Sequence, residues 1–226
     1  THPPPHTTQT PLPTNPFPTT NMNHLAYANC KDTSKNIPPL LTASYNENEK
    51  MDVSTKTLDG RINILFVGTL SYGKQPLLTV KGINELIKLG YNVHLDIYGE
   101  GQQRSIIEEY ISENILSNYV TLHGNKDKET LKRAYQKAHF LVFMSKSEGW
   151  PKAITEAMTF GLVCVGTNRG LVPQLLGDRR GYVVRPGDAR ALADVLVRLT
   201  TMSSHDLDEI SGRAAAWAQQ YSLEFY

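Results

Sequence analysis

Glu148 and Glu156 stand eight positions apart on either side of the string Gly149-Trp150-Pro151-Lys152. Proline suits the first turn of a helix, so a helix is expected over 152–160, with Glu148 in the loop ahead of it. The amides of Gly149, Trp150 and Lys152 then point from the helix N-terminus into the space that Glu148 borders, while Pro151 has none to give. Further upstream, Gly68-Thr69-Leu70-Ser71-Tyr72-Gly73-Lys74 ends just before a helix starting near Pro76. Gly68 lets backbone amides approach a ligand, and an ammonium beside a helix N-terminus suits phosphate. Carboxylates grip hydroxyls; amides and lysines grip phosphates. The combination outlines a site for a ligand carrying both an anion and hydroxyls.

Each piece alone has an ordinary explanation. Glu156 reads equally as a solvated glutamate, Glu148 as a carboxylate favoured by a helix dipole, and Lys74 as a solvated lysine in a strand-to-helix turn. The first loop lacks the Walker string Gly-x-x-x-x-Gly-Lys-Ser/Thr and the spaced glycines of a dinucleotide fingerprint. Gly99-Glu100-Gly101 suits a tight turn into the next helix. Asp206-Leu207-Asp208 follows Ser203-Ser204 and reads as the acidic first turn of a helix, not as a metal-binding pair. The seven histidines are scattered, so no metal pair is expected. Cys164 lies in an apolar run and reads as core.

The elements that must carry these residues follow from hydrophobic periodicity. Strands are expected at Ile62–Val67, Val93–Tyr98, Tyr119–Leu122, His139–Met144, Leu162–Gly166 and Gly181–Val184. Helices are expected at Pro76–Leu89, Gln103–Glu113, Lys128–Lys137, Lys152–Phe160, Gly170–Leu176, Ala189–Leu199 and Asp206–Tyr221. This alternation predicts an α/β fold, a Rossmann-like open parallel sheet with helices on both faces. Ligands bind such sheets at the carboxyl ends of the strands, where Gly68 to Lys74 and Ser145 to Glu156 fall.

The whole-chain averages bound the alternatives. Among 226 residues, 23 Lys+Arg oppose 22 Asp+Glu, a net charge of +1, which argues against binding nucleic acid by bulk attraction to phosphates. Two cysteines cannot build a disulfide framework. No apolar run nears the ~20 residues that span a bilayer, and no leader-like segment opens the sequence, so a cytoplasmic setting is expected. Residues 1–60 hold 9 of the 13 prolines, 11 threonines and a single glycine, Gly60. That stretch reads as an extended linker or a remnant of a larger region.

The string Glu-Gly-x-Pro followed by Glu-Ala, with its glutamates eight apart, resembles the E-x7-E motif of family 4 retaining glycosyltransferases of the GT-B fold. Phe66 to Leu70 with Lys74, Ile97 to Gly101, Gly161 to Val165, Gly170 to Leu176 and Gly181 to Asp188 resemble that family's successive segments in order and spacing. The match runs from Asn63 to about Leu199, and Trp217 to Tyr226 resembles its closing crossover helix. The resemblance implies a nucleotide-sugar-binding, C-terminal half: a donor domain over 61–200 and a crossover helix over 201–226. It implies Glu148 as the catalytic position facing the donor sugar. Lys74 would hold the diphosphate, Glu156 the ribose hydroxyls, and Asn125, in the Gly124-Asn125-Lys126 loop, would lie near the base. Gly68, Thr69, Gly149, Trp150, Pro151 and Lys152 complete the implied donor-binding set. It further implies transfer with retention, without a metal or other cofactor, from a UDP- or GDP-sugar to a glycan or lipid-linked acceptor. Polysaccharide or lipopolysaccharide assembly at the inner face of the membrane is the setting it suggests. A nucleotide-sugar-binding module working with a separate acceptor chain, and a sugar-nucleotide epimerase, are the alternatives. The pattern departs from the family at Thr69, where arginine is frequent, at Gln75, where glycine is frequent, and at Gly170-Leu171 and Gln174. The acceptor half has no counterpart in residues 1–60.

Overall fold

A computed structural model describes residues 56–220. Six apolar runs become strands: β1 (Ile62–Val67), β2 (Val93–Tyr98), β3 (Val120–Gly124), β4 (Phe140–Phe143), β5 (Val163–Thr167) and β6 (Gly181–Val184). They form one parallel sheet in the order β3-β2-β1-β4-β5-β6. The helices are α1 (Pro76–Lys88), α2 (Arg104–Glu113), α3 (Lys128–Lys137), α4 (Lys152–Thr159), α5 (Val172–Leu176), α6 (Ala189–Thr200) and α7 (Ser204–Gln219). The chain winds outward from β1 to β3, then returns to pair β4 on β1's other side, through Ile64 opposite Phe140 and Leu65 opposite Leu141. That reversal opens a crevice at the carboxyl ends of β1 and β4.

Both faces of the central strands are buried, which is why β1 and β4 read as continuous apolar runs. Ile64, Phe66, Phe140 and Val142 face one core, which α1, α2 and α6 cover with residues such as Ile83, Ile107 and Leu196. Leu65, Leu141 and Phe143 face the second, covered by Tyr135 of α3, Ile154 and Met158 of α4, Leu175 of α5 and Trp217 of α7. β2 differs: Val93, Leu95 and Ile97 are fully buried, while His94, Asp96 and Tyr98 on the other face are only partly so.

Helix starts follow capping chemistry. Asp127 accepts from the Thr130 amide at 2.8 Å, Asp188 from that of Ala191 at 2.8 Å, and Ser203 from that of Asp206 at 3.1 Å. Asp206 therefore sits in an acidic first turn, as its sequence context suggests, but the helix begins earlier, at Ser204. Gly170 has φ +54, outside helical geometry, so α5 starts at Val172 instead. The Pro/Thr-rich segment lies outside the described residues up to position 55, as do residues 221–226. Residues 56–60 are more than linker: Lys56 Nζ donates to the carbonyls of Tyr135 (2.9 Å) and Ala138 (2.6 Å), closing the C-terminal end of α3.

The turn from α2 into β3, which carries Asn125 beyond its end, contains one strained residue. The Leu116 amide bonds to the Ile111 carbonyl at 2.8 Å and the Ile115 amide to that of Ser112 at 3.2 Å, the pairing of a left-handed C-terminal cap. Glycine usually fills that position, yet here it is Ile115, at φ +56 and 84% exposed. A left-handed β-branched residue costs about 1–2 kcal/mol, more than glycine's extra chain entropy of about 0.5–1 kcal/mol. Ile115→Gly should therefore raise stability in urea denaturation by about 0.5–1 kcal/mol; a loss of stability would contradict this reading of the cap.

Candidate functional site at the sheet's carboxyl edge

β1 ends in a loop that the neighbouring strand end holds in place. The Gly68 amide bonds to the Tyr98 carbonyl at 3.0 Å and the Leu70 amide to that of Glu100 at 2.9 Å. A Cβ on Gly99, at φ +140, would overlap the Gly68 carbonyl. The Gly99-Glu100-Gly101 turn is thus also a brace for the first loop. The chain then tightens: the amides of Lys74 and Gln75 both reach the Ser71 carbonyl at 3.1 Å, and Gln75 turns through φ +51 into α1.

Across the crevice, the loop after β4 is stitched to the first. The Lys146 amide donates to the Gly73 carbonyl at 2.7 Å. Ser145 Oγ donates to the Ser147 carbonyl at 2.7 Å and also lies 3.3 Å from that of Gly73. From β5, Thr167 Oγ1 donates to the Ser145 carbonyl. Gly170 supports Glu148 from behind, because its missing Cβ leaves room for the Glu148 carbonyl. The result is direct contact between Lys74 Nζ and Glu148 Oε2, with only 28% and 10% of the two side chains exposed. The ammonium also lies 5.1 Å from the centre of the Phe143 ring, a cation–π distance. Lys74 and Glu148, expected to serve different parts of one ligand, are here paired with each other.

α4 follows. Pro151 lies one position earlier than a first-turn proline: it is the N-cap, and its carbonyl accepts from the Ile154 amide at 2.9 Å. The Lys152 amide is used by the Trp150 carbonyl at 3.0 Å, so it does not face a ligand as expected. The amides of Gly149 and Trp150 have no partner among the described residues. Trp150 Nε1 is buried without an acceptor among the described residues. Ile154, Ala157 and Met158 are buried against the sheet as their spacing predicts. Glu156 is not the solvated residue of the ordinary reading. Its side chain is 12% exposed, Oε2 accepts from the Tyr135 hydroxyl at 2.9 Å, and Oε1 lies 3.7 Å from Lys152 Nζ. Sequence reasoning missed Tyr135, which reads only as one apolar residue on the buried side of α3.

Gly68, Thr69 and Asn125 meet in a cleft of about 230 Å³ that also takes in Val67, Tyr98, Gly99, Lys126 and Leu131. The Tyr98 ring stacks on His123 at 4.3 Å, and His123 Nε2 lies 2.6 Å from Asp96 Oδ1. Burial pushes the Asp96 carboxyl upward, but hydrogen bonds and charge from His94 and His123 outweigh it and hold it below its ordinary value. Cys164 is fully buried and its thiol is pushed up by that burial, in keeping with core. Among the described residues, no three His, Cys, Asp or Glu side chains converge as metal ligands.

Two outcomes follow from this geometry. Gly170→Ala should cost about 1–3 kcal/mol in denaturant titration, since a left-handed alanine would press on Glu148. Gly149→Ala, whose Cβ would meet nothing within 4 Å, should cost little by comparison; equal effects would remove the spacer role. Asp96, depressed in the folded state, contributes stability that is present above its unfolded value of 3.8 and lost as pH falls through the folded one. Asp96→Asn should flatten the fall in Tm below about pH 4, and an unaltered profile would exclude this source.

With the geometry established, comparison with known proteins places the chain. Residues 47–215 match the family model described as glycosyl transferases group 1. The amylovoran biosynthesis glycosyltransferase AmsK of Erwinia amylovora is 29% identical over 162 residues, 68% of this chain and 40% of its own length. The Anabaena protein Alr3699/HepE, solved with UDP and glucose, superposes with a TM-score of 0.66 at 17% identity over 73% of this chain and 45% of its own. The C-terminal domain of the group 1 glycosyl transferase LpcC of Francisella tularensis superposes with a TM-score of 0.65 at 19% identity, covering 80% of this chain and 95% of that domain. The chain thus spans less than half the length of AmsK and of HepE, but nearly all of a domain solved by itself. Its fold is the Rossmann-like half of a GT-B glycosyltransferase, and by the family match over 47–215 the chain belongs to the glycosyl transferases group 1.

Proposed function

We propose that residues 61–200, closed by α7 (Ser204–Gln219), form the donor-binding half of a retaining family 4 glycosyltransferase that takes its sugar from a UDP- or GDP-sugar. The observation carrying this is the meeting of Lys74 and Glu148 at the strand-order reversal, with a second carboxylate eight positions along the chain, Glu156, already held by a hydroxyl donor. A diphosphate would draw Lys74 from Glu148, freeing that carboxylate to face the donor sugar. The Gly149 and Trp150 amides, at the N-terminal end of α4, would meet sugar or phosphate oxygens. Glu156 would accept from the ribose hydroxyls, with the base in the cleft formed by Tyr98, Asn125 and Lys126. Thr69 supplies no charge to the diphosphate, but Lys126 shares its cleft and brings one. HepE, with its bound UDP and glucose, supports a nucleotide-sugar as ligand.

In the reaction, the bond from the sugar's anomeric carbon to the diphosphate breaks and an acceptor hydroxyl oxygen bonds to that carbon on the same face. The hydroxyl proton passes to the departing phosphate oxygen. Lys74 and the α4 N-terminus stabilise the developing diphosphate charge in place of a metal. The acceptor, a glycan or lipid-linked sugar, would be held by the portion of such enzymes that these residues do not span. The donor half alone therefore binds weakly and transfers little. Its setting is the cytoplasmic face of a membrane, reached by peripheral contact; no helix among the described residues is long and apolar enough to cross one.

A thermal-shift series with UDP-, GDP- and ADP-sugars tests the donor assignment. Binding to the folded state raises Tm by mass action, and no shift at millimolar concentration with any of them would overturn it. Glu156→Ala should weaken calorimetric affinity for the best of these donors by about tenfold; unchanged affinity would remove the ribose contact.

A further inference from the structure

We infer that Tyr135 is a positioning residue: its hydroxyl sets the plane of the Glu156 carboxylate and thereby gives the site its preference for a nucleotide bearing free ribose hydroxyls. The inference rests on the proposed contact between Glu156 and ribose. Tyr135 is fully buried. Its ring stacks on Phe160 at 5.7 Å and 6°, and its carbonyl is held by Lys56 Nζ at 2.9 Å. Ring and backbone are both fixed, so the hydroxyl has little freedom in where it points. A buried tyrosine hydroxyl requires a partner, and this one donates to Glu156 Oε2 at 2.9 Å.

The other contact of Glu156 cannot set that plane. Lys152 Nζ stands 3.7 Å from Oε1 on a side chain 57% exposed, and such pairs are loose and screened. A neutral donor also leaves the carboxylate its full negative charge. An ionised carboxylate has about four acceptor positions. The tyrosine occupies one, and those remaining are presented in a fixed orientation. Two neighbouring ribose hydroxyls make a demanding pair, because both donors must be met by one rigid plane. A carboxylate free to rotate would lose part of that interaction to the entropy of being ordered.

The test is binding of UDP and GDP against their 2′,3′-dideoxy forms, by calorimetry, to the wild type, Tyr135→Phe and Glu156→Gln. Phenylalanine keeps the ring's volume and its stack on Phe160 and removes only the hydroxyl. The wild type should prefer ribose by about tenfold or more, and Tyr135→Phe should cut that preference to about threefold or less while binding the dideoxy forms as the wild type does. Its Tm should stay within about 2 °C of wild type. A preference retained in Tyr135→Phe but lost in Glu156→Gln would overturn the positioning role and leave the ribose contact standing. Equal weakening toward ribo- and dideoxy-nucleotides, or a variant that no longer folds, would overturn it in favour of a purely structural role. A wild type with no preference would overturn the ribose contact itself, and this inference with it.

Discussion

The Gly73 carbonyl is the point on which the site turns. It accepts the Lys146 amide at 2.7 Å, across the gap where the strand order reverses. β1 and β4 pair over only two residue positions, so beyond Leu65 and Leu141 no ladder keeps the chain ends together. Two unlike loops must then leave adjacent strands and still face one another. One backbone bond, with Ser145 behind it, supplies what the sheet no longer does. Backbone bonds suit that task, because they carry none of the rotamer entropy a side-chain bridge would have to lose.

That stitch lets the two carboxylates of one loop-and-helix segment, Glu148 ahead of α4 and Glu156 on it, acquire different environments. Glu148 leaves its loop toward an ammonium, with Gly170 behind it leaving space for its carbonyl. Glu156, two turns further along, meets the hydroxyl of a buried tyrosine. A carboxylate paired with a cation is poised to exchange that cation for another anion's claim on it. A carboxylate held by a neutral donor retains its charge and its appetite for hydroxyls. The same residue type therefore serves two tasks, separated by what lies opposite it. The partly polar face of β2 adds a third element: Asp96 holds His123, and His123 lies flat against Tyr98, so the one aromatic side chain lining the adjoining cleft is braced from the strands while loop residues supply most of the rest.

Much of this was legible in the residues. Strand and helix order could be read because the central strands are apolar on both faces and the helices carry one apolar stripe each. The motif residues Glu148, Glu156 and Lys74 could be picked out by spacing and by their places at strand ends. Less legible were features that depend on a residue far along the chain. Nothing near Gly73 marks its carbonyl as the anchor for Lys146. Nothing in α3 distinguishes Tyr135 from an ordinary core aromatic, and nothing before β1 indicates that Lys56 reaches the end of α3. Pro151 and the Lys152 amide differ from expectation for a local reason: the chain makes one extra tight turn centred on Pro151 before the helix begins.

The sequence by itself determined the fold class, the order of the elements and which loops lie at the binding edge, because periodicity, capping residues and glycine positions act over a few residues. Only the tertiary structure decided the state of the site: Lys74 engaged by Glu148, Glu156 oriented by Tyr135, and the loops of β1, β4 and β5 held in register. Those contacts join residues 21 to 74 positions apart. Their geometry is set by how two cores pack on either side of one sheet, and no local pattern of residues encodes that.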